Sequence, residues 1–174
     1  MTVRHRRTVL ACALVAACAG AQCAKAPPPP KPEPPVTIAA PPEAKVKASM
    51  TVAANAEVNP DVNGRPSPIV VRVFQLRADA AFAGAEFFPL FDDEQKVLGP
   101  ELITRDEFVL TPSERRTIDV VLSPETRFIG ALAAFRDIRN AQWRAVAPAP
   151  RGGMTITVER ARVVLAPATP DAAK

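Results

Sequence analysis

Short runs of alternating apolar and polar residues, each bounded by turn residues, constrain the fold of this chain more than any other feature of its sequence. In Lys45–Ala54 every second residue is apolar, and a period of two is typical of a strand with one buried face. Pro68–Leu76 is rich in β-branched residues, and similar runs follow at Arg105–Leu110, Arg115–Leu122 and Arg127–Phe135. With further runs nearer the C-terminus, the pattern predicts about seven or eight strands in an all-β fold, a two-sheet antiparallel β-sandwich.

The segment between the second and third predicted strands has a different character. Asp79 can cap a helix, and the run that follows, Phe82–Phe91, is rich in phenylalanine. Because proline lacks a backbone N–H, Pro89 is expected to divide this run into two short helical pieces. A further turn is expected to end at Gly99, and the phenylalanines are expected to pack in the core rather than line a ligand pocket.

The N-terminus is typical of a secretory signal peptide. Arg4, Arg6 and Arg7 supply positive charge, and Thr8–Ala17 is a short apolar run. A run of this length does not span a bilayer, which takes about 20 apolar residues. Residues 1–17 are therefore predicted to be a signal peptide that is removed.

One of three cysteines marks the cleavage point. Leu14–Cys18 resembles a bacterial lipobox, in which the signal is cut just before a cysteine that becomes acylated. Cys12 would leave almost no apolar run, and Cys23 follows Gln22, a poor residue at the cut. We therefore predict lipidation of Cys18, with ordinary soluble secretion as the alternative.

A proline tract follows the predicted anchor. Residues 27–42 contain nine prolines, which prevent helix or sheet formation. Residues 18–44 are predicted to be a lipid anchor and proline-rich tether, and an extended polyproline segment would reach up to ~80 Å from the bilayer. A leader with no spacing role is the alternative. Residues 45–166 are predicted to form the β-sandwich domain and residues 167–174 a flexible tail.

Composition excludes several classes of function. The whole chain has 22 Lys and Arg against 18 Asp and Glu, and loss of the three signal-peptide arginines leaves 19 against 18. A nucleic-acid partner therefore has no support in charge. Cleavage would also remove His5, the single histidine, and the chain has no tyrosine. Histidine-based nucleophilic systems and imidazole zinc sites are thereby excluded.

Carboxylates remain as candidates for acid–base chemistry. Asp92–Glu94 and Asp106–Glu107 could in principle supply the paired carboxyl groups of a glycosidase. Neighbouring residues on a chain rarely face one another, however, so solvated acidic segments are the favoured interpretation. We predict that the protein is not an enzyme and needs no cofactor.

The connection between the first two strands is the candidate site. Asn59–Gly64 resembles the opening of a calcium loop. However, Val70 stands where the bidentate glutamate should be, and predicted strands rather than helices flank the segment. Asn63-Gly64 favours a tight turn, and prolines stiffen both arms. A stiff loop loses little entropy on docking, so a binding role is predicted, with an idle connector as the alternative. The predicted binding residues are Asn59, Pro60, Asp61, Val62, Asn63, Gly64, Arg65, Pro66 and Ser67.

Four segments in order carry a resemblance to a known family. These are VVRVFQL, DAAFAGAEFFPLFDDEQKVLG, RDEFVLTPSE and IGALAAFRDIRNAQWR, within about residues 45–165. Together with the lipobox, they resemble the outer-membrane lipoprotein of the type VI secretion system, often called TssJ. The resemblance implies a transthyretin-like β-sandwich with short added helices and no catalytic activity.

The resemblance also implies a location and a partner. It implies anchoring in the outer membrane through acylated Cys18, with the domain facing the periplasm, and Ala19 agrees with outer-membrane sorting. The implied partner is the periplasmic C-terminal region of TssM, the inner-membrane component, with no small-molecule substrate. In this family the loop between the first two strands makes much of that contact, which favours Asp61, Arg65 and Val62. The alternatives are a lipid-anchored periplasmic small-ligand-binding module and a carboxylate-dependent cell-wall hydrolase.

Overall fold

The computed structural model describes residues 45–150 and 152–168, which form two four-stranded sheets. One sheet has the order β4-β1-β7-β8 and the other β3-β2-β5-β6. The strands are β1 (Val46–Ala54), β2 (Ile69–Leu76), β3 (Leu102–Leu110), β4 (Arg115–Leu122), β5 (Phe128–Ala133), β6 (Arg144–Pro148), β7 (Gly153–Val158) and β8 (Val163–Pro167). The predicted all-β sandwich is confirmed.

Among the eight described strands, every pair is antiparallel except β1 and β7. β1 runs parallel to β7, and it pairs on its other edge with β4 in the antiparallel sense. β1 therefore lies in the interior of its sheet, paired on both edges. The second sheet is antiparallel throughout, with β2 and β5 as its inner strands.

The alternation in the sequence places the core between the sheets. In β7 the side chains of Met154, Ile156 and Val158 are buried, and the residues between them are partly exposed. β5 is buried on both faces, as its sequence predicts. Ile129 packs between the sheets, whereas Leu132 packs beneath the helical segment on the outer face.

That helical segment lies between β2 and β3 in the sequence and is called the helical insertion. It covers the outer face of the second sheet. It contains α1 (Ala80–Gly84), α2 (Phe87–Asp92), α3 (Glu94–Leu98) and a 3₁₀ turn at Gly99–Glu101. No helix among residues 45–150 and 152–168 has the length and apolar character needed to cross a bilayer.

The insertion differs from the sequence-based expectation at Pro89. The break between helices falls at Ala85–Glu86, and Pro89 lies in the first turn of α2, where its missing N–H is tolerated. Asp79 occupies the N-cap position of α1 but makes no capping hydrogen bond with its side chain. Gly99 ends α3 with a positive φ of 50°, as predicted.

The phenylalanines do not share one role. Phe82 is fully buried, and its ring lies against Gly130, where an added Cβ would come within 2.9 Å of Cζ. Phe87 and Phe91 are partly buried and stack with 5.3 Å between ring centroids. Phe88 is 64% exposed, so the expected core role is wrong for this residue.

The sandwich has two distinguishable ends. The first described residue, Lys45, precedes β1 at the end where Val46 pairs with Leu122, which we call the proximal end. The opposite, distal end carries the β1–β2 loop (residues 55–68) and the β5–β6 loop (residues 134–143). β1 has nine residues and separates the two ends by about 30 Å.

Candidate protein-binding site

The β1–β2 loop is fastened to its neighbours by one buried asparagine. Asn59 is only 4% exposed, and its Nδ2 donates a hydrogen bond to the Pro68 carbonyl at 2.8 Å. Its Oδ1 accepts from the Arg136 backbone N–H at 2.8 Å, and its own N–H donates to the Arg160 carbonyl at 3.2 Å. The side chain thus joins both arms of the loop to the β5–β6 loop, and the backbone joins it to the turn before β8.

Asn59 is also held in a left-handed backbone conformation, with φ of 48°. Asparagine tolerates this region better than most residues because its short polar side chain can make local hydrogen bonds. Both the conformation and the hydrogen bonds therefore favour asparagine at the base of the loop.

The tip of the loop is organised by Asp61. Its Oδ1 accepts from the N–H groups of Asn63 at 2.8 Å and Arg65 at 3.0 Å, and its Oδ2 pairs with Arg65 Nε at 3.0 Å. The backbone closes the same turn, since the Gly64 N–H donates to the Asp61 carbonyl at 2.9 Å. Gly64 has a φ of 77°, which confirms the predicted tight turn.

These contacts favour the charged form of the Asp61 carboxyl. Its pKa lies below the ordinary aspartate value, chiefly because the Arg65 N–H donates to the carboxylate. Partial desolvation opposes the shift, and the Asn63 N–H, the Arg65 side chain and the positive charge of Arg136 add to it. At neutral pH the tip is therefore held by an ionised carboxylate.

Exposure divides the predicted binding residues into three groups. Val62 is fully exposed at 101%, and the Arg65 side chain is 77% exposed. Asn63, Gly64 and Pro66 are exposed as well. By contrast, Asn59 and Ser67 are buried at the base, and Pro60 and Asp61 are intermediate. The exposed group can contact a partner, and the buried group holds the loop in shape.

The β5–β6 loop contributes residues that the sequence did not single out. A shallow groove of roughly 520 Å³ separates the two loops and is lined by Pro60, Asp61, Val62, Arg136 and Asp137. The joint between the loops spans 77 positions in sequence, from Asn59 to Arg136. No local pattern reports such a contact, so sequence reasoning had no signal for it.

Three residues of the acidic segments considered for catalysis, Asp93, Glu94 and Glu107, make structural contacts. Glu94 and Glu107 both pair with Arg72 and Arg105, at N···O distances between 2.7 and 3.2 Å. Asp93 accepts from the Lys96 N–H and caps α3. In residues 45–150 and 152–168, no three His, Cys, Asp or Glu side chains are grouped so as to hold a metal ion.

Fold and site together define a class of protein. It is an all-β sandwich that carries a helical insertion after β2 and that presents the ordered, partly apolar β1–β2 loop at its distal end. The family model described as "Type VI secretion lipoprotein, VasD, EvfM, TssJ" matches residues 46–166. The chain belongs to this family of type VI secretion lipoproteins, the TssJ family. The family is a structural component of the secretion system, which confirms the prediction that the protein is not an enzyme.

Solved structures of similar fold agree with this assignment. The chain is similar to the type VI secretion lipoprotein TssJ1 from Pseudomonas aeruginosa, with 32% identity, a TM-score of 0.69, and coverage of 72% of this chain and 98% of that one. It is similar to Serratia marcescens Lip, described as a membrane-bound component of the type VI secretion system, with 27% identity, a TM-score of 0.65, and coverage of 72% and 99%.

A third similar chain occurs in a structure described as "Type VI membrane complex". It shares 25% identity with a TM-score of 0.63, and the alignment covers 70% of this chain and 98% of that one. A comparison with curated proteins gave no match. The predicted lipidation site Cys18 and the predicted tether, residues 18–44, lie outside the described residues.

Proposed function

We propose that this protein is the outer-membrane lipoprotein of a type VI secretion membrane complex. Acylated Cys18 holds it in the outer membrane with the sandwich facing the periplasm. The β1–β2 loop, at residues 59–67, binds the periplasmic C-terminal region of TssM and so anchors the inner-membrane partner to the outer membrane. The observation that carries this proposal is a preorganised loop with an exposed apolar tip at the distal end.

The position of the loop suits a tethered protein. The chain enters the sandwich at Lys45 on the proximal end, and the loop lies about 30 Å away on the distal end. A domain held to a bilayer through its proximal end can therefore turn the loop toward the periplasm. An extended tether of residues 19–44 would add up to ~80 Å of reach.

The rigidity of the loop suits a binding role. The hydrogen bonds of Asn59 and Asp61 fix its base and tip before any partner arrives. Ordering a mobile loop on association would oppose binding, and a preorganised loop avoids most of that loss. Val62 can then enter a partner pocket as an apolar anchor, with Arg65 beside it as a polar contact.

The comparisons supply the remaining support. The chain belongs to a family of type VI secretion lipoproteins. One similar protein is described as membrane bound, and another belongs to a structure of the type VI membrane complex. These relatives favour a role as a membrane-attached part of that assembly over the alternative of a lipid-anchored small-ligand-binding module.

The loop assignment is tested by changing its apolar tip. Val62→Asp should weaken binding of the mature protein to the TssM periplasmic C-terminal region about tenfold or more, measured by calorimetry or interferometry. Val121→Asp is the matched control, because Val121 is also an exposed valine, 51% accessible, near the proximal end. Equal binding by wild type and the Val62 variant, with both folded, would remove the loop from the interface.

The anchor is tested separately. Cys18→Ala should leave the domain folded, shift the protein out of the outer-membrane fraction, and abolish secretion by the system. Mass spectrometry of the wild-type protein should show a mature N-terminus at Cys18 carrying acyl chains. An unmodified, soluble mature product would contradict the anchor and leave the loop proposal standing.

A further inference from the structure

The β1–β2 loop does not form the distal surface alone. The Asn59 side chain accepts from the backbone N–H of Arg136, which fixes the β5–β6 loop directly beside it. Arg136 and Asp137 form one wall of the groove whose other wall includes Asp61 and Val62. Two loops of different strands therefore present one continuous surface.

The charged side chains on this surface differ in whether they form ion pairs within the protein. Most of the distal carboxylates are already paired with arginines. The pairs, with their N···O distances, are Asp61–Arg65 at 3.0 Å, Glu57–Arg160 at 3.8 Å, Glu114–Arg116 at 2.5 Å and Glu159–Arg162 at 2.6 Å. Asp137 accepts from the Asn140 side chain at 2.8 Å.

Arg136 and Arg139 stand apart from these pairs. Both are exposed, and within the described part of the chain neither guanidinium has a carboxylate within 4 Å. Arg136 thus presents a planar cationic group beside the apolar tip of the neighbouring loop, and Arg139 adds a second exposed guanidinium in the same β5–β6 loop.

We propose that the β5–β6 loop is the second half of the partner-binding surface. Arg136 and Arg139 bind carboxylates on an acidic segment of the same protein partner that Val62 contacts. The inference rests on the proposed function and adds the chemistry of the partner: an acidic polypeptide surface with an apolar pocket next to it. A guanidinium suits this task because it binds a carboxylate through two parallel hydrogen bonds.

The arrangement explains why the two loops are joined through a backbone group. Asn59 holds the N–H of Arg136 and leaves its side chain available to a partner. Replacing the Arg136 side chain therefore keeps the joint between the loops. Charge reversal at this position changes the surface without removing the contact that shapes it.

The test is a double charge reversal, Arg136→Glu with Arg139→Glu, in the full mature protein. Its affinity for the TssM periplasmic C-terminal region should fall about 10- to 100-fold, and binding should depend less on NaCl concentration. Arg127→Glu is the matched control. Arg127 is exposed, has no ion pair within residues 45–150 and 152–168, and lies at the proximal end, so its change should alter affinity less than twofold.

Three outcomes decide between the two proposals. If Val62→Asp loses binding and the double reversal keeps it, the second half of the surface is wrong and the proposed function stands. If neither variant changes affinity, both proposals fail. Vesicles of anionic and of neutral lipid provide the remaining arm: a double reversal that lowers anionic-vesicle binding while partner affinity stays constant would overturn the acidic-polypeptide assignment.

Discussion

The β1–β2 loop before β2 and the helical insertion after it differ in what holds them. Asn59 and Asp61 fix the loop through hydrogen bonds, and Val62 is left fully exposed. The insertion is fixed by burying apolar side chains, with Phe82 and Leu90 both 0% exposed. A segment that is held by polar groups can leave an apolar side chain exposed for a partner. A segment that is held by packing has most of its apolar side chains buried.

The insertion adds ionic contacts at its edge, not at its centre. Arg72 is 13% exposed, donates to the Phe91 carbonyl at 2.5 Å and pairs with both Glu94 and Glu107. Its guanidinium also lies 3.9 Å from the centre of the Phe91 ring. These contacts hold α2 and α3 against the outer face of the sheet, at the edge of the apolar core of the insertion.

The largest effect is expected where packing holds the insertion. Phe82→Ala should lower the free energy of unfolding by about 3–5 kcal/mol, because it opens a cavity between Phe74 and Gly130. Urea denaturation measures the loss. Phe88→Ala is the control, since Phe88 is 64% exposed and should change stability by under ~1 kcal/mol. Similar losses in the two variants would contradict the division between buried and exposed phenylalanines.

A smaller effect on stability, with a larger one on binding, is expected at the base of the loop. Asn59→Ala leaves the Arg136 N–H and the Pro68 carbonyl without partners and should lower stability by about 2 kcal/mol. Partner affinity should fall too, because the two loops lose their joint. Urea denaturation and calorimetry on the same variant report both values.

Opposite results are expected for the two segments when stability and partner affinity are measured on the same variant. Phe82→Ala should change stability strongly and partner affinity little while the protein is folded, since Phe82 lies outside the distal surface. If Asn59→Ala lost stability and retained full affinity, the loop would not need its preorganised shape. The contrast between a polar-held binding loop and a packed insertion would then fail.

How far the sequence predicts the fold depends on which forces act locally. The period-two runs predict the strands because one face of each is buried, as β7 shows with Met154, Ile156 and Val158. The parallel pairing of β1 with β7 is not readable in this way, because pairing partners are chosen by the whole topology. Pro89 misled for a local reason: proline is tolerated in the first turn of a helix, so it did not mark the break.

In the candidate site too, the features set by local sequence could be predicted and those set by distant contacts could not. Asn63-Gly64 predicts the turn because glycine supplies the positive φ locally. The different roles of Asn59 and Val62 could not be predicted, because they depend on which side chain meets a distant loop. Arg136 was missed for that reason, since its place beside Asp61 follows from the folded topology alone.

The smallest effect is expected from protonation of the loop tip. Because the pKa of Asp61 is lowered in the folded protein, the native state binds fewer protons at this carboxyl than the unfolded state does. Its contribution to stability is therefore complete above the ordinary aspartate pKa of about 3.9 and is lost as the pH falls through the lower native value. Acid should loosen the tip while the apolar packing of the insertion, around the buried side chains of Phe82 and Leu90, persists.

An NMR titration follows this change at the amide of Arg65, which donates to the Asp61 carboxylate at 3.0 Å. The amide shift should have its inflection below the ordinary aspartate value, and the inflection should vanish in Asp61→Asn. The side-chain amide keeps one oxygen acceptor for the N–H groups of Asn63 and Arg65 but loses the charge that pairs with Arg65. An inflection at or above the ordinary value would mean that the tip is less ordered in solution. Val62 would then be presented by a mobile turn, and the contrast with the packed insertion would rest on Asn59 alone.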